Sequence, residues 1–308
     1  QSEVLKYLFS EKGGTRYAAA VASRGFGKSY LASVAATMAV HELLEMDEDV
    51  PNKNVSIICP TYQQSLDIYW PLLAYNLGLE DYAEKSSQTA GTFWFPNNVK
   101  LKLWSYEASE RMRGSGQYFV VGDEVSDWTG QPGLKESWES IIQPAMTTRW
   151  AGNHKALIIG TPKGKNYFYS LYLKGINKET DWASFKFSTY DNPYIDKMEV
   201  DDARTQLPEA VFEQEYMANP AENAANPFGS AFIRQCTFAL STYPVVCYGI
   251  DLAKSFDFTA IIGLDKNGSV AYFDRFQKDW RQTKQTIVNL TKAPILMDST
   301  GVGDPIFE

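Results

Sequence analysis

The chain has 308 residues, 44% of them hydrophobic and 14% aromatic, which suffices for a sizeable core and suggests two domains. Its net charge of −8 argues against a protein that coats nucleic acid non-specifically, although a local DNA-contacting stripe remains compatible with it. The sequence has no run of about 18 uncharged apolar residues, so it predicts no membrane span.

The first two-thirds of the chain alternate short apolar runs with longer amphipathic runs, as expected for a parallel sheet covered by helices. One segment departs from this order, because two strand-like runs flank Pro96-Asn97-Asn98 and predict an antiparallel hairpin over Thr92–Phe95 and Val99–Tyr106. The other predicted strands are Arg16–Ser23, Val55–Pro60, Tyr118–Asp123, Lys155–Thr161 and Trp182–Thr189. The predicted helices are Lys28–Met46, Gln63–Leu77, Lys135–Met146 and Asn166–Ile176.

After Tyr190 the pattern changes to two short helices, Glu199–Leu207 and Glu209–Ala218, followed by a stretch rich in Asn, Ala and Pro. From Val245 onward the chain predicts strands with one short helix, namely Val245–Leu252, Phe258–Asp265, Ser269–Phe276, the helix Lys284–Leu290 and a last strand Pro294–Asp298. We therefore predict an α/β domain over 1–205, a linker or lid region over 206–240 and a second domain over 241–308.

The three cysteines, Cys59, Cys236 and Cys247, are widely spaced within apolar stretches. This pattern is typical of reduced core thiols and not of a disulfide framework or a zinc cluster. No charged-then-apolar leader is visible before the first predicted strand, and we expect the initiator segment to be lost. Together these features favour a cytosolic protein.

Residues 22–29 follow the spacing of a phosphate-binding P-loop, with alanine in the first glycine position. In such a loop glycines let backbone amides curl around phosphates, the lysine reaches the β and γ oxygens, and the serine hydroxyl binds Mg²⁺. The helix that follows points its positive end at the anion. We therefore predict an ATP site formed by Ser23, Arg24, Gly25, Phe26, Gly27, Lys28 and Ser29. The alternative is a glycine-rich turn that carries Lys-Ser by chance.

A P-loop needs a second strand with acidic residues to complete the metal shell and to orient water. The strand Tyr118–Asp123 ends in Asp123 and Glu124 about 95 residues downstream of the P-loop. Asp123 is predicted to hold Mg²⁺ through water, and Glu124 is predicted to polarise the attacking water. The alternative is an edge strand that ends in a solvated acidic turn.

Five motifs together point to one family. They are the arginine within the P-loop, Arg24; the segment Arg111–Gly114 ahead of the Asp-Glu strand; the strand and turn Ile158–Gly164; and the acidic strands Tyr248–Asp251 and Ile295–Gly303. The chain resembles, over nearly its whole length and in the same order, the large terminase subunit of tailed bacteriophages. That protein is the motor that pumps DNA into capsids and cuts it.

The resemblance implies an ASCE-type P-loop ATPase in which Arg24 senses the γ-phosphate and Thr161 couples phosphate loss to domain movement. It also implies that Arg111 or Arg113 acts as a finger that completes a neighbour's site in a ring. The alternatives are that Thr161 caps the next turn and that the two arginines form surface salt bridges. For Thr61, which follows the second strand, we expect a helix N-cap in preference to a contact with the nucleotide pocket or DNA.

For the second domain the resemblance implies a partial RNase H-like nuclease, in which carboxylates bridge two Mg²⁺ or Mn²⁺ ions. Asp251 lies within an apolar run, where a bare charge is costly, and topology is expected to place Asp298 beside it. Asp257 could join them or start the next strand. The sequence ends at Glu308 soon after the last predicted strand, so we expect a third carboxylate to be missing and cutting to be absent.

The resemblance thus implies an ATP-driven translocase of double-stranded DNA that packages viral DNA into procapsids and whose endonuclease domain cuts concatemeric DNA. The implied partners are the small terminase subunit, the portal protein and further copies of the chain in a homo-oligomeric ring, in the host cell cytoplasm. Two alternatives stay open: a P-loop helicase or remodelling ATPase outside packaging, and a structural ring subunit that binds nucleotide without turnover.

Overall fold

A computed structural model describes residues 1–10, 16–47, 50–150, 152–220, 235–252 and 258–297. The chain divides into two units, Gln1–Pro227 and Phe228–Glu308. Within the described ranges, none of the helices is both long and apolar enough to cross a bilayer.

A mostly parallel sheet forms the centre of the first unit. Its strands are β1 Tyr17–Ala22, β2 Asn54–Cys59, β3 Lys85–Ser87, β4 Thr92–Trp94, β5 Lys100–Ser105, β6 Phe119–Gly122, β7 Lys155–Gly160 and β8 Trp182–Phe187. They lie in the order β3-β4-β5-β2-β6-β7-β1-β8. The pairs β3–β4 and β4–β5 are antiparallel and the other five are parallel. The predicted α/β class, mainly parallel sheet and β4–β5 hairpin are therefore confirmed, whereas β3 is absent from the prediction.

The helices of the first unit include the predicted ones with shifted ends, whereas the two short helices Ser2–Leu8 and Leu79–Tyr82 are absent from the prediction. They are α1 Ser2–Leu8, α2 Lys28–Leu44, α3 Tyr62–Pro71, α4 Leu79–Tyr82, α5 Leu134–Glu136, α6 Gln143–Thr147, α7 Tyr167–Ile176, α8 Lys197–Gln206 and α9 Glu209–Glu215. A π-helical segment, Leu72–Asn76, continues α3 beyond Pro71, and a second one, Ser137–Ile142, joins α5 to α6. The predicted cap on α3 is confirmed, because the Thr61 side chain accepts a hydrogen bond from the Gln64 backbone N–H at 3.1 Å.

The first unit has apolar side chains on both faces of its sheet. Strand β1 reads Tyr-Ala-Ala-Ala-Val-Ala and is buried at every position, as expected for a parallel strand with both faces covered. One core cluster joins Ala18 and Ala20 to the alanines of α2, and the other joins Ala19 to Trp138 and Phe168. Since β1, β6 and β7 run parallel, the loops that follow them meet at one edge of the sheet.

A buried histidine directly precedes β7 and contacts the first residue of β1. His154 is fully buried, and its Nδ1 donates to the Trp150 carbonyl at 2.9 Å, which leaves Nε2 to accept the Tyr17 hydroxyl proton at 2.7 Å. This arrangement suits the neutral ring, and burial, ahead of the nearby Arg16 charge, lowers the pKa of His154 below its usual 6.5.

We therefore expect the free energy of unfolding to depend on pH through His154. Because its pKa is lower in the folded chain, the unfolded chain takes up the proton first, so this stabilisation is complete above about pH 6.5 and is lost as the pH falls toward the folded-state pKa. Urea unfolding between about pH 5 and pH 8 should show a smaller loss of stability at low pH for His154→Gln than for the wild type. An identical pH profile for the two proteins would contradict this role.

The second unit contains a four-stranded sheet and one helix within the described residues. Its strands are β9 Cys247–Asp251, β10 Thr259–Leu264, β11 Val270–Phe276 and β12 Ile295–Met297, and its helix is α10 Trp280–Val288. The order is β11-β10-β9-β12, in which β12 pairs parallel with β9 and the other pairs are antiparallel. Helix α10 begins four residues before the predicted start, because the Asp279 side chain accepts from the Gln282 N–H at 2.8 Å and caps it.

The cysteine prediction is correct for one residue of three. All three thiols are free, but only Cys59 is buried, while Cys236 is exposed and Cys247 is half-buried. Burial raises the pKa of the Cys59 thiol well above its usual value, which keeps it protonated and unreactive.

Candidate functional site

The loop between β1 and α2 has the backbone geometry of an anion cradle. Gly25 and Gly27 have φ of 74° and 94°, a left-handed conformation that side chains with a Cβ atom adopt at a cost. Gly27 occupies the N-cap position, and α2 begins at Lys28, so the first free N–H groups of the helix face this loop. The predicted sequence of strand, glycine loop and helix is therefore present.

Lys28 is held at the base of this loop by contacts with three strand ends. Its side chain is only 8% exposed. The Nζ atom donates to the Ser23 carbonyl at 3.1 Å and to the Thr161 hydroxyl at 3.0 Å, and lies 3.1 Å from a carboxylate oxygen of Glu124. The tertiary fold thus brings together the P-loop lysine, the acidic residue after β6 and the hydroxyl after β7.

Glu124 has a left-handed backbone conformation, which is unusual for a residue other than glycine. Its φ and ψ are both 44°, the left-handed region that a glutamate rarely enters. Its second carboxylate oxygen accepts the Thr161 backbone N–H at 3.1 Å, so Thr161 contacts both Lys28 and Glu124. A Cβ atom at Gly160 would lie 3.2 Å from the Val125 nitrogen, so the absence of a side chain there lets β7 approach this turn closely.

Asp123 is a buried carboxylate with few compensating contacts. It is 3% exposed, and it accepts the Tyr69 hydroxyl at 2.6 Å and the Glu124 backbone N–H at 2.9 Å. Burial, with a contribution from the neighbouring Glu124 charge, raises the pKa of Asp123 to about 6. Ser29 also interacts with the Tyr69 hydroxyl. A buried carboxylate and a hydroxyl that share one neighbour are a donor set that suits Mg²⁺.

A cavity of about 490 Å³ opens above these residues. Predicted site residues make up most of its wall, and Tyr30, Asp127, Lys163 and Glu215 complete it. The predicted residues that line it are Arg24, Gly25, Gly27, Lys28, Ser29, Glu124 and Thr161.

Two predicted P-loop residues turn their side chains away from the cavity. The Ser23 hydroxyl is buried and lies 3.0 Å from the Thr189 hydroxyl. The Phe26 ring is buried and stacks on Phe187, with 4.2 Å between the ring centroids. Only the backbone groups of these two residues could therefore contact a bound anion.

Arg24 lines the cavity and makes an ion pair that sequence reasoning did not predict. Its Nε lies 2.6 Å from a carboxylate oxygen of Glu215, and its backbone N–H donates to the Glu215 carbonyl at 2.9 Å. The hydrogen bond to Glu215 and its charge raise the pKa of Arg24. Glu215 is 191 residues away in sequence and carries no motif, so no sequence signal could have identified it.

Lys163 and Asp127 form a second ion pair at the cavity wall. Both follow predicted site residues closely, Lys163 two residues after Thr161 and Asp127 three residues after Glu124. This proximity in sequence is a signal that could have drawn attention to them.

Arg111 and Arg113 do not line this cavity in the described part of the chain. Arg111 borders a separate cavity of about 530 Å³ together with Lys102, Trp104 and Tyr62. Arg113 is 53% exposed and pairs with Glu110 at 2.6 Å. The two arginines thus lie outside the wall of the P-loop cavity of their own chain, and their role as a finger for a neighbour's site stays a prediction.

A third cavity, of about 610 Å³, adjoins the P-loop on the side of Phe26 and Gly27. Gln1 donates from its side-chain amide to the Phe26 carbonyl at 3.1 Å, and Tyr30 and Tyr194 expose their rings there. Sequence reasoning did not predict these residues as part of the site. An isolated glutamine or tyrosine carries no recognisable spacing.

In the second unit, the prediction that Asp251 lies at a buried position is wrong. The residue ends β9 with an exposed side chain and does not lie buried within the strand, so its charge has no burial cost. Asp298 and Asp257 lie outside the described residues. Among the residues that are described, no group of three or more His, Cys, Asp or Glu is arranged to hold a metal ion.

Sequence comparisons place the chain near known phage proteins. A family model described as the N-terminal part of the T4likevirus-type terminase large subunit matches residues 19–233. The terminase large subunit of Escherichia phage T5 is 29% identical over 66% of this chain and 44% of its own length. The terminase large subunit of Thermus phage G20c is 26% identical over 66% of this chain and 47% of its own length. The chain thus spans about half the length of these curated relatives.

Solved structures show the same fold. The large terminase ATPase domain of Thermus phage P74-26 gives a TM-score of 0.52 at 24% identity, over 68% of this chain and 90% of that chain. The large terminase of another thermophilic bacteriophage, in complex with ADP, gives 0.53 at 13% identity, over 99% of this chain and 78% of that chain. The HK97 bacteriophage large terminase gives 0.54 at 16% identity, over 92% and 64%.

Proposed function

The chain belongs to the terminase large subunit family, and on that premise we propose that its first unit is the ATPase of a viral DNA-packaging motor. One observation carries the proposal: Lys28, Glu124 and Thr161, from three separate strand ends, converge within hydrogen-bonding distance at a glycine-rich helix N-terminus. This is the arrangement that phosphoryl transfer to water requires. The similar large terminase in complex with ADP supports a nucleotide as the ligand.

In the proposed reaction, the N–H groups of the loop and Lys28 bind the β- and γ-phosphates. The oxygen of a water molecule attacks the γ-phosphorus while the bond from that phosphorus to the bridging oxygen breaks, which yields ADP and phosphate. Glu124 orients the water and accepts its proton. Thr161, which contacts both Lys28 and Glu124, would transmit phosphate loss to β7.

Ser29 and Asp123 are the residues that would hold Mg²⁺, because the Ser29 hydroxyl and the buried Asp123 carboxylate both interact with the Tyr69 hydroxyl beside the P-loop. A cation beside Asp123 would offset the burial that raises the pKa of its carboxyl to about 6. The ion would neutralise negative charge on the phosphate oxygens.

The order of the strands supports the assignment to the ASCE class. Strand β7 lies between β1, which leads to the P-loop, and β6, which leads to Asp123 and Glu124. The cavity beside Gln1, Tyr30 and Tyr194 adjoins the P-loop and offers aromatic rings and an amide, so we assign the nucleobase to it.

The remaining elements of the proposal follow from family membership. They are an ATPase domain over 1–205, a linker or lid over 206–240, and an RNase H-like domain over 241–308 in which Asp251 and Asp298 hold Mg²⁺ or Mn²⁺ for endonucleolytic cutting. The substrate is double-stranded DNA, and the partners are the small terminase subunit, the portal protein and further copies of the chain, in the host cytoplasm. The match to the ADP-bound terminase, which covers 99% of this chain, supports the second domain.

The decisive experiment measures nucleotide binding and hydrolysis with and without double-stranded DNA. Lys28→Ala should weaken ATP binding by about 10- to 100-fold, because it removes a charge-assisted contact to the phosphates. The matched control is Lys197→Ala, which removes an exposed lysine of α8. Equal affinities for the two variants would refute the nucleotide site.

The same assay, run beside an assay of strand separation, distinguishes the alternatives. Binding without turnover, even with DNA and partner proteins, would identify a structural ring subunit. Strand separation by the purified chain would identify a helicase. DNA-stimulated hydrolysis without strand separation is the result expected for a packaging motor.

A further inference from the structure

Equal numbers of cationic and anionic side chains line the cavity at the P-loop. Three cationic side chains line it, and each forms an ion pair with a carboxylate that also lines it. The pairs are Arg24 with Glu215 at 2.6 Å, Lys28 with Glu124 at 3.1 Å, and Lys163 with Asp127. A triphosphate that enters must therefore compete with carboxylates of the protein for each cation.

We propose that Glu215 and Asp127 are competing carboxylates, which bind Arg24 and Lys163 and are displaced from them by the phosphates of the nucleotide. Lys163 is then a second phosphate-binding lysine of the site. This inference rests on the proposed function, since it takes the nucleotide as the ligand of the cavity.

The exposure of the side chains indicates which cations can exchange their carboxylate partner for a phosphate. The Arg24 side chain is 78% exposed, although the side chain of its partner Glu215 is only 18% exposed. Lys163 and Asp127 are 46% and 42% exposed. Exposed ion pairs contribute little free energy, because water screens them and long side chains lose freedom. Contacts between these cations and a phosphate, which carries more charge and more acceptor oxygens, are stronger. Lys28, at 8% exposure, is fixed by its backbone contacts.

The backbone contacts indicate which segments would be affected when a phosphate displaces these carboxylates. The Arg24 N–H donates to the Glu215 carbonyl, so the end of α9 stays attached to the loop when the Glu215 carboxylate is released. Thr189 connects the same two segments, since its N–H donates to the Tyr216 carbonyl and its hydroxyl to the Arg24 carbonyl. The second pair joins the turn after Glu124 to the turn after Thr161. Phosphate binding would thus loosen side-chain contacts at α9 and beside the catalytic residues.

The test measures the Kd of a non-hydrolysable ATP analogue, AMPPNP, by titration calorimetry on the full chain. Glu215→Gln and Asp127→Asn should each tighten binding by about 2- to 5-fold, the range that corresponds to losing one exposed ion pair. Arg24→Ala and Lys163→Ala should each weaken it. Glu209→Gln, which removes an exposed carboxylate at the start of α9, is the matched control and should leave Kd unchanged.

Double variants distinguish displacement of a carboxylate from its partner cation from a general effect of the net charge of the cavity. If the carboxylates act through their partners, Glu215→Gln has no effect in the Arg24→Ala background, and Asp127→Asn has none in the Lys163→Ala background. Unchanged gains in those backgrounds, or weaker binding by either single variant, would overturn the proposal. Weaker binding by Asp127→Asn that appears only with Mg²⁺ would identify a metal ligand and overturn the second pair. If Lys28→Ala leaves AMPPNP binding intact, the proposed nucleotide site itself fails.

Discussion

Glu124→Gln should lower kcat for ATP hydrolysis by about 10²- to 10⁴-fold, the usual contribution of a general base, while nucleotide binding survives. The reason lies in the geometry of the carboxylate, which contacts Lys28 and the Thr161 N–H at the cavity wall. Glutamine keeps the size and an oxygen that can accept the Thr161 N–H, so the local structure is preserved. What it loses is the ability to take a proton from water.

Steady-state hydrolysis and titration of AMPPNP measure the two effects separately. Glu84→Gln, which changes an exposed carboxylate away from the cavity, serves as the control and should hydrolyse ATP at the wild-type rate. A kcat within a few-fold of wild type for Glu124→Gln would remove this residue from the mechanism. Loss of binding together with turnover would instead assign Glu124 to nucleotide binding.

A second large effect is expected from substituting Arg111, in the 3₁₀ segment Tyr106–Met112, or Arg113, which directly follows that segment. If one of them completes the site of a neighbouring subunit, Arg111→Ala or Arg113→Ala should lower kcat by about 10³- to 10⁵-fold in the assembled motor. The physical reason is that a guanidinium neutralises charge that develops on the γ-phosphoryl group. Arg113 would have to leave Glu110, with which it pairs at 53% exposure.

Mixed assemblies distinguish action on a neighbour from action within one chain. The inactive arginine variant mixed with equal amounts of inactive Glu124→Gln should regain about a quarter of the wild-type activity, because in a ring each site combines two subunits. Either variant alone provides the baseline. An inactive mixture would place the arginine in its own subunit's site. Full activity of both arginine variants would exclude the finger.

Local sequence determined the elements on which the site is built. Residues 16–46 predict a strand, a glycine loop and a helix because these depend on contacts between near neighbours in the chain. The apolar strand before Asp123 and Glu124 is recognisable for the same reason. The same reasoning misplaced the environment of Asp251, because an apolar run indicates a strand but does not determine which face of the sheet is covered.

The contacts that the predicted residues make follow from the fold and not from local sequence. Lys28 contacts Thr161 across 133 residues of sequence, and Arg24 contacts Glu215 across 191. Contacts over such separations depend on the order of the strands, and the periodicity of a sequence does not encode that order directly. The P-loop could therefore be recognised from local sequence alone. Only the fold showed that each cation of its cavity already faces a carboxylate.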